Sequence, residues 1–261
     1  MNKTMKGSFM KILVCVKQVP DTEAPVAIDA GGRWVGPVFS FRMNRFDEYA
    51  LEEAVLFKEF QHDVAIDAVS VGPERVQAVI RRAMELGADT GVHIEISREG
   101  YMPPEVIAAH ILEYARNKGY DLIICGAMSE DCMHAQVGPL LAEMMGLPSL
   151  TAVIAAHMRE DGCSLDIEQE IEGGLRRRFE LVLPAVISVQ TGINHPRYPT
   201  LTNVLRAKRQ PLKRIMAREI PLMNRFGFRE AATVKQGVMI TGSMREQARE
   251  VVRILHEHAI L

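Results

Sequence analysis

The segment Gly126-Ala-Met-Ser-Glu-Asp-Cys-Met-His-Ala-Gln-Val-Gly138 places a glycine directly after an apolar run and then feeds a helical stretch. That order is the outline of a phosphate cradle. Glycine lets the backbone approach an anion, and the start of a helix offers unpaired N–H groups at the positive end of its dipole. Two further loops leave apolar runs in the same way, Lys17–Thr22 and Val71-Gly72-Pro73. Within the first segment, Asp131 and His134 have the residue types of an acid–base pair, and Cys132 has that of a nucleophile. None of them has an orienting partner at motif spacing, so they are read as polar lining and no catalytic residue is assigned. There is no G-x-G-x-x-G and no G-x-x-x-x-G-K-[ST] pattern. On these residues alone, a nucleotide cradle and an ordinary strand-to-helix loop both remain open.

The elements that must position these loops can be read from hydrophobic patterning. Ile12–Val16, Val64–Val71, Gly91–Ile96, Leu122–Cys125 and Leu150–Ala155 are apolar runs with little alternation, as expected for strands buried on both faces of a parallel sheet. Between them lie helical stretches over Asp47–Phe60, Glu74–Glu85, Pro103–Lys118 and Ala135–Met145, the first with Asn44 or Asp47 as a candidate cap. Strands alternating with helices predict βαβ units. Residues 26–41 read as a short hairpin turning at Gly31-Gly32. Cys163–Glu172 and Leu175–Leu183 read as an antiparallel pair across Gly173-Gly174, followed by one more buried strand at Pro184–Val189.

The predicted fold is therefore α/β: an open, twisted, mainly parallel sheet with helices on both faces, plus an antiparallel hairpin and an extended C-terminal arm. Residues 1–9 form an extension, 10–192 the α/β domain that carries the candidate nucleotide cradle, 193–218 a rigid Pro-Arg-Tyr-Pro loop with a basic segment, and 219–261 the arm. The arm ends in a helix opened by the capping box Ser243-x-x-Glu246.

Composition narrows the function classes. A net charge of -2 over 261 residues excludes a broadly basic nucleic-acid coat. No apolar run approaches the roughly 20 residues that span a bilayer, and residues 1–9 lack the apolar stretch of a secretory signal. The cysteines Cys15, Cys125, Cys132 and Cys163 form no C-x-x-C pair and no zinc-type spacing. Read as reduced thiols, they fit a cytoplasmic protein with no metal site.

Several segments together resemble the β subunit of electron transfer flavoproteins. They are Lys11–Thr22 (Lys-Ile-Leu-Val-Cys-Val-Lys-Gln-Val-Pro-Asp-Thr), Met43–Val55, Val71-Gly-Pro73, Ala135-Gln-Val-Gly-Pro139, Glu170-Ile-Glu-Gly-Gly174 with Leu183–Ile187, and Pro196-Arg-Tyr-Pro-Thr-Leu-Thr-Asn203. The resemblance runs from Met10 to about Met216 and is specific in combination. It implies an adenine-nucleotide-hydrolase-like fold and an obligate heterodimer with an α subunit. The α subunit carries an FAD that the β subunit helps to cover. It also implies a nucleotide pocket in this chain, holding AMP in simple carriers and a second FAD in electron-bifurcating ones.

By matching position, the resemblance assigns the pocket to Cys15, Lys17, Asn44, Arg45, Phe46, Asp47, Val71, Gly72, Gly126, Ala127, Asp131, His134, Ala135, Gln136, Val137 and Gly138. It assigns recognition of a partner dehydrogenase, such as an acyl-CoA dehydrogenase, to Pro196, Arg197, Tyr198, Leu201, Asn203, Arg206 and Lys208, with Leu201 as the apolar anchor and a further redox acceptor downstream. Lys17–Thr22 and Ala135–Pro139 resemble the bifurcating branch, which favours FAD over AMP. Arg45 stands where the family usually has proline. Residues 127–134 depart from the usual pattern, and Gln169 replaces an expected basic residue. A stand-alone nucleotide-binding or hydrolysing module, and an interaction subunit with an empty pocket, are the alternatives.

Overall fold

In the computed structural model, residues 9–21, 40–61, 63–97, 101–218, 220 and 237–259 are described. The chain divides into two units, Met1–Phe228 and Arg229–Leu261. The first unit opens with β1 (Met10–Cys15), whose residues are buried except for Lys11. A short antiparallel pair follows, β2 (Gln18–Pro20) with β3 (Phe41–Met43), and then helix α1 (Arg45–Phe60). Next come β4 (Val64–Gly72), a single helical turn at Glu74–Val76, α2 (Gln77–Leu86), β5 (Thr90–Glu95), α3 (Pro104–Ala115) and β6 (Leu122–Gly126). The unit continues through α4 (Val137–Met145), β7 (Ser149–Met158), β8 (Ser164–Glu170), β9 (Arg176–Val182), β10 (Ala185–Val189), α5 (Leu201–Arg209) and β11 (Lys213–Met216).

These strands form one nine-stranded sheet in the order β11-β5-β4-β1-β6-β10-β7-β8-β9. From β11 to β7 every pairing is parallel, and β7–β8 and β8–β9 are antiparallel. Successive residues of a strand point to opposite faces. Ile12 and Val14 accordingly join a core with residues of α1 and α2, whereas Leu13 and Cys15 join the core of α3 and α4. Both faces of the parallel part are therefore covered, as its apolar runs require. From β1 the chain builds outward through β4 and β5, then returns to place β6 on the other side. The reversal lies between β1 and β6, and in open α/β sheets ligands bind beyond the carboxyl ends of the strands at such a switch.

Two local readings change, and a third lies outside the described residues. The predicted hairpin at residues 26–41 lies outside the described residues apart from Ser40 and Phe41. Asn44 occupies the N-cap position of α1, but its side chain makes no cap hydrogen bond and turns to a neighbouring loop instead. The basic stretch after residue 200, expected as a basic segment beside the rigid loop, folds into regular elements. It folds as α5, whose Ala207 is fully buried, and as edge strand β11, parallel to β5. The charge run hid this amphipathicity, because Arg214 pairs with Glu95 at 2.8 Å while Ile215 packs inward.

The second unit holds helix α6 (Met244–Glu257). The predicted capping box is present, with Ser243 N–H donating to Glu246 Oε2 at 2.8 Å, and no residue of α6 is buried. Residues 1–8 lie outside the description, and so do 219, 221–236 and 260–261 of the arm. No helix among the described residues is long and apolar enough to cross a membrane.

Candidate functional site

A cavity of about 580 Å³ opens at the carboxyl ends of β1, β4 and β6, well within the roughly 300–1,000 Å³ of small-molecule sites. The predicted nucleotide residues all line it except Arg45 and Phe46. Arg45 is exposed, and its backbone N–H donates to Glu130 Oε2 of the neighbouring loop at 3.1 Å. Phe46 lies behind the wall, where a Cβ on Gly126 would come within 2.6 Å of its Cβ. Gly126 is thus glycine because the end of β6 runs against the first turn of α1. At Gly138 a Cβ would meet Ser188 Oγ at 2.3 Å, so α4 starts directly against β10.

Asp47 holds the three loop ends together. Its Oδ2 accepts from the Lys17 backbone N–H at 2.7 Å and its Oδ1 from Asn44 Nδ2 at 3.0 Å, and the Gly126 amide also bonds to it. Burial nevertheless raises this carboxyl to about 7, with the donors pulling the other way. Asn44, 1% exposed, satisfies its whole amide group. Besides Asp47, its Nδ2 donates to the Met128 carbonyl at 2.9 Å, and its Oδ1 accepts from the Glu130 N–H at 3.1 Å. Arg42 Nη2 holds Glu130 at 3.0 Å. The loop before α4 is therefore tied to the start of α1 at several points.

That fastening holds an unusual backbone. Met133 (φ 53°) and Ala135 (φ 54°) are in the left-handed region without being glycine. Such conformations persist where surrounding contacts over-determine them, and they cluster at ligand clamps. The loop delivers Gln136, Val137 and Gly138, at the open N-terminus of α4, to the cavity wall. Lys17 Nζ bonds Asp131 Oδ1 at 2.7 Å and Ser129 Oγ at 3.1 Å, close to Cys132 Sγ at 3.8 Å. Burial pushes Asp131 up, but the Lys17 ammonium and the hydrogen bonds outweigh it and hold the carboxyl below its usual range. Asp131 is thus bound to Lys17, while the His134 ring meets Tyr101 edge-on at 5.8 Å. Burial chiefly raises the Cys132 thiol, the opposite of nucleophile activation. The remaining wall is mixed: Val71 and, from α3, Ile107 and Ile111 are apolar, whereas Gln18, Asp21 and Arg75 add polar and charged groups. Cys15 and Cys125 lie buried side by side as free thiols. Among the described residues, no three His, Cys, Asp or Glu side chains group as a metal site.

The second predicted region divides into two kinds of residue. Tyr198 is 91% and Leu201 74% exposed, and with Leu205, one helical turn further on, they leave an apolar face on and beside α5. Lys208 is exposed, whereas Pro196 and Asn203 are half-buried, the Asn203 N–H capped by Thr200 Oγ1 at 3.2 Å. Arg197 and Arg206 are held inside the chain. The Arg197 guanidinium forks onto Glu52 at 2.8 Å and also binds Glu59, while Arg206 Nη2 donates to the Met84 and Ala88 carbonyls at 2.8 and 3.1 Å. Sequence reasoning missed Glu52, Glu53, Glu59 and Asn194 as the seat of this loop. The only signal was an acidic cluster along one helix, which by itself reads as a solvated face.

A switch-point cavity, a tied loop with left-handed residues and an open helix N-terminus define an α/β protein with a ligand-type cleft at the reversal of its sheet. An electron transfer flavoprotein domain matches residues 40–219 of the chain. The chain is 30% identical over 265 residues to the electron transfer flavoprotein subunit beta of Bacillus subtilis, covering 96% of this chain and 99% of that one. It is 32% identical to the subunit beta of Dictyostelium discoideum (97% and 99% covered) and 34% to that of Bos taurus (81% and 83% covered). The chain belongs to the electron transfer flavoprotein family, in its subunit beta branch.

Proposed function

We propose that this chain pairs with an α subunit as a cytoplasmic electron carrier, and that its own cavity holds an adenine nucleotide. The observation that carries this reading is the cavity at the switch point, one wall of which is the open N-terminus of α4 while another includes the apolar side chains of Val71, Ile107 and Ile111. Those surfaces suit a phosphate at one end and a base at the other. The residues that would hold the phosphate are the backbone N–H groups of 135–138, and Lys17 places a cation at the same loop. Bound FAD supplies the redox chemistry of such carriers, and the protein contributes orientation and electrostatics rather than a catalytic group of its own.

The main FAD would lie at the interface with the α subunit. In the β cavity a second FAD is favoured over AMP, because Lys17–Thr22 and Ala135–Pro139 resemble the bifurcating branch. Electrons would enter from a dehydrogenase, of the acyl-CoA type by family resemblance, docking on the face of Tyr198 and Leu201, and leave to a redox acceptor. The apolar stripe of α6, including Met244, Val251 and Val252, would pack on the α subunit. Deleting residues 240–261 would then abolish heterodimer formation.

Nucleotide content tests the reading directly. The heterodimer is purified from co-expression, denatured, and its FAD and AMP counted per complex. A ratio of two FAD with no AMP is expected. One FAD with one AMP would make the chain a subunit of a simple carrier, and one FAD alone would mean an empty β pocket. Neither nucleotide, with hydrolysis by a monomer, would favour a stand-alone module.

A further inference from the structure

Asn194 sits where the chain leaves β10 and lies back over α1. Its Nδ2 donates to the Tyr49 carbonyl at 3.0 Å and to Glu53 Oε2 at 2.9 Å. Both partners accept, which fixes the amide with its nitrogen towards α1. Its Oδ1 is then buried and has no donor among the described residues. Buried acceptors are rarely left in that condition. Glu53 is itself only 5% exposed, and a carboxyl has one way to supply a donor, which is to keep its proton. An acid and a primary amide joined by one N–H···O bond form a cyclic pair when the protonated acid turns its second oxygen to the amide oxygen.

The surrounding charges agree. The neighbouring Glu52 faces Glu53 with like charge, and Arg197 is engaged by Glu52 and Glu59. From α2, Arg82 pairs with Glu85, and Arg81 reaches the end of α5. Lys11 of β1 and Asp67 of β4 meet on the opposite face of the sheet, beside Tyr120. Strands β6 and β10 carry no charged residue, and His195 is exposed. No cation among the described residues bonds Glu53. Its burial, with the Glu52 charge adding and the Asn194 bond opposing, raises the carboxyl to about 7.

We propose that Glu53 keeps its proton while the segment after β10 lies on α1, and that the neutral Glu53–Asn194 pair is a proton-dependent latch on the surface presenting Tyr198 and Leu201. Opening the segment exposes Glu53 to water, where it ionises in the ordinary carboxylate range. The docked form thus binds one more proton than the open form between that range and about 7, and docking weakens as pH rises through this window. The latch does not depend on what docks there. Only its effect on partner binding rests on the docking face proposed above.

The test is amide hydrogen exchange between Ile193 and Tyr198, in the full chain as purified in its assembly, corrected for intrinsic exchange and read from pH 5 to 8.5. Protection should fall by up to about tenfold per pH unit until about pH 7 and then level off. Glu53→Gln should keep the segment protected with no such slope, because a carboxamide supplies both the donor and the acceptor of the cyclic pair. Glu53→Ala should leave it weakly protected at every pH. In infrared spectra at pH 6, protonated-carboxyl absorption should be weaker in Glu53→Gln than in the native chain, the remaining band coming from Asp47, whose carboxyl burial also raises to about 7. An unchanged slope in Glu53→Gln, or loss of protection in it, would overturn the latch. If exchange behaves as expected while Leu201→Ala docks its dehydrogenase normally, the docking face is wrong and the latch stands.

Discussion

Arg81 and Arg206 close each other's helices. Arg81 Nη1, from α2, donates to the Ala207 and Gln210 carbonyls at the end of α5, and Arg206, from α5, donates to the Met84 and Ala88 carbonyls at the end of α2. The last carbonyls of a helix have no partner within it and sit at the negative end of its dipole, so a cation there satisfies both needs. Arg81→Ala or Arg206→Ala should each lower stability by about 1–3 kcal/mol, the usual worth of hydrogen bonds to a charged group. The double variant should lose less than the sum, because once α5 is loosened the second clamp has less to hold. Urea denaturation of the three variants checks this, and strict additivity would contradict the coupling.

Gly126→Ala tests the close approach of β6 to α1. The added methyl would sit 2.4 Å from Asp47 Oδ1 and 2.9 Å from the Phe46 backbone carbon. Overpacking of this kind typically costs about 1–3 kcal/mol. Because Asp47 joins the loops around the cavity, nucleotide content should fall along with stability. A variant as stable as the parent, with full nucleotide content, would show that α1 can move aside.

Acid should loosen the loop before α4 at a definable point. Asp131 has its folded-state carboxyl held below the ordinary value of 3.8, so its pairing with Lys17 is fully present above that value and is lost as pH falls beneath it. Lys17→Met removes the cation and leaves the buried carboxylate uncompensated. Loss of exchange protection at residues 129–134 should then begin at higher pH than in the native chain. Identical acid profiles would mean that the ion pair does not hold the loop.

Leu201→Ala removes the centre of the proposed docking face without touching the core. The melting temperature should be unchanged, and electron transfer from the partner dehydrogenase should slow by about fivefold, the roughly 1 kcal/mol at which an interface residue counts as important. Arg197→Ala should behave differently, lowering stability as well as transfer, because its guanidinium holds the loop on Glu52 and Glu59.

Much of the architecture was legible because its signals are local. Apolar runs at β1, β4 and β6 mark strands buried on both faces, and Gly87 and the Ser243–Glu246 pair mark helix ends. The segment after Leu201 was opaque because periodicity there competes with a dense run of basic residues. Arg206 and Arg214 gain partners only once α2 and Glu95 are beside them. The pocket was legible as three loops after strands, whereas the fastening by Asn44 and Glu130, 86 residues apart, was not.

By itself the sequence determined which residues carry backbone freedom, charge and apolar surface, and in what order along the chain. It therefore specified the strand–helix alternation, the cradle segment 126–138 and the family resemblance. Tertiary structure alone decided which groups meet. It turned Arg197 and Arg206 inward, left Tyr198 and Leu201 exposed, and placed Asn194 against Glu53 across 141 residues. The physical reason is that a side chain's hydrogen-bond partner and its burial, and hence its charge state, depend on distances that exist only once the sheet has brought remote segments together.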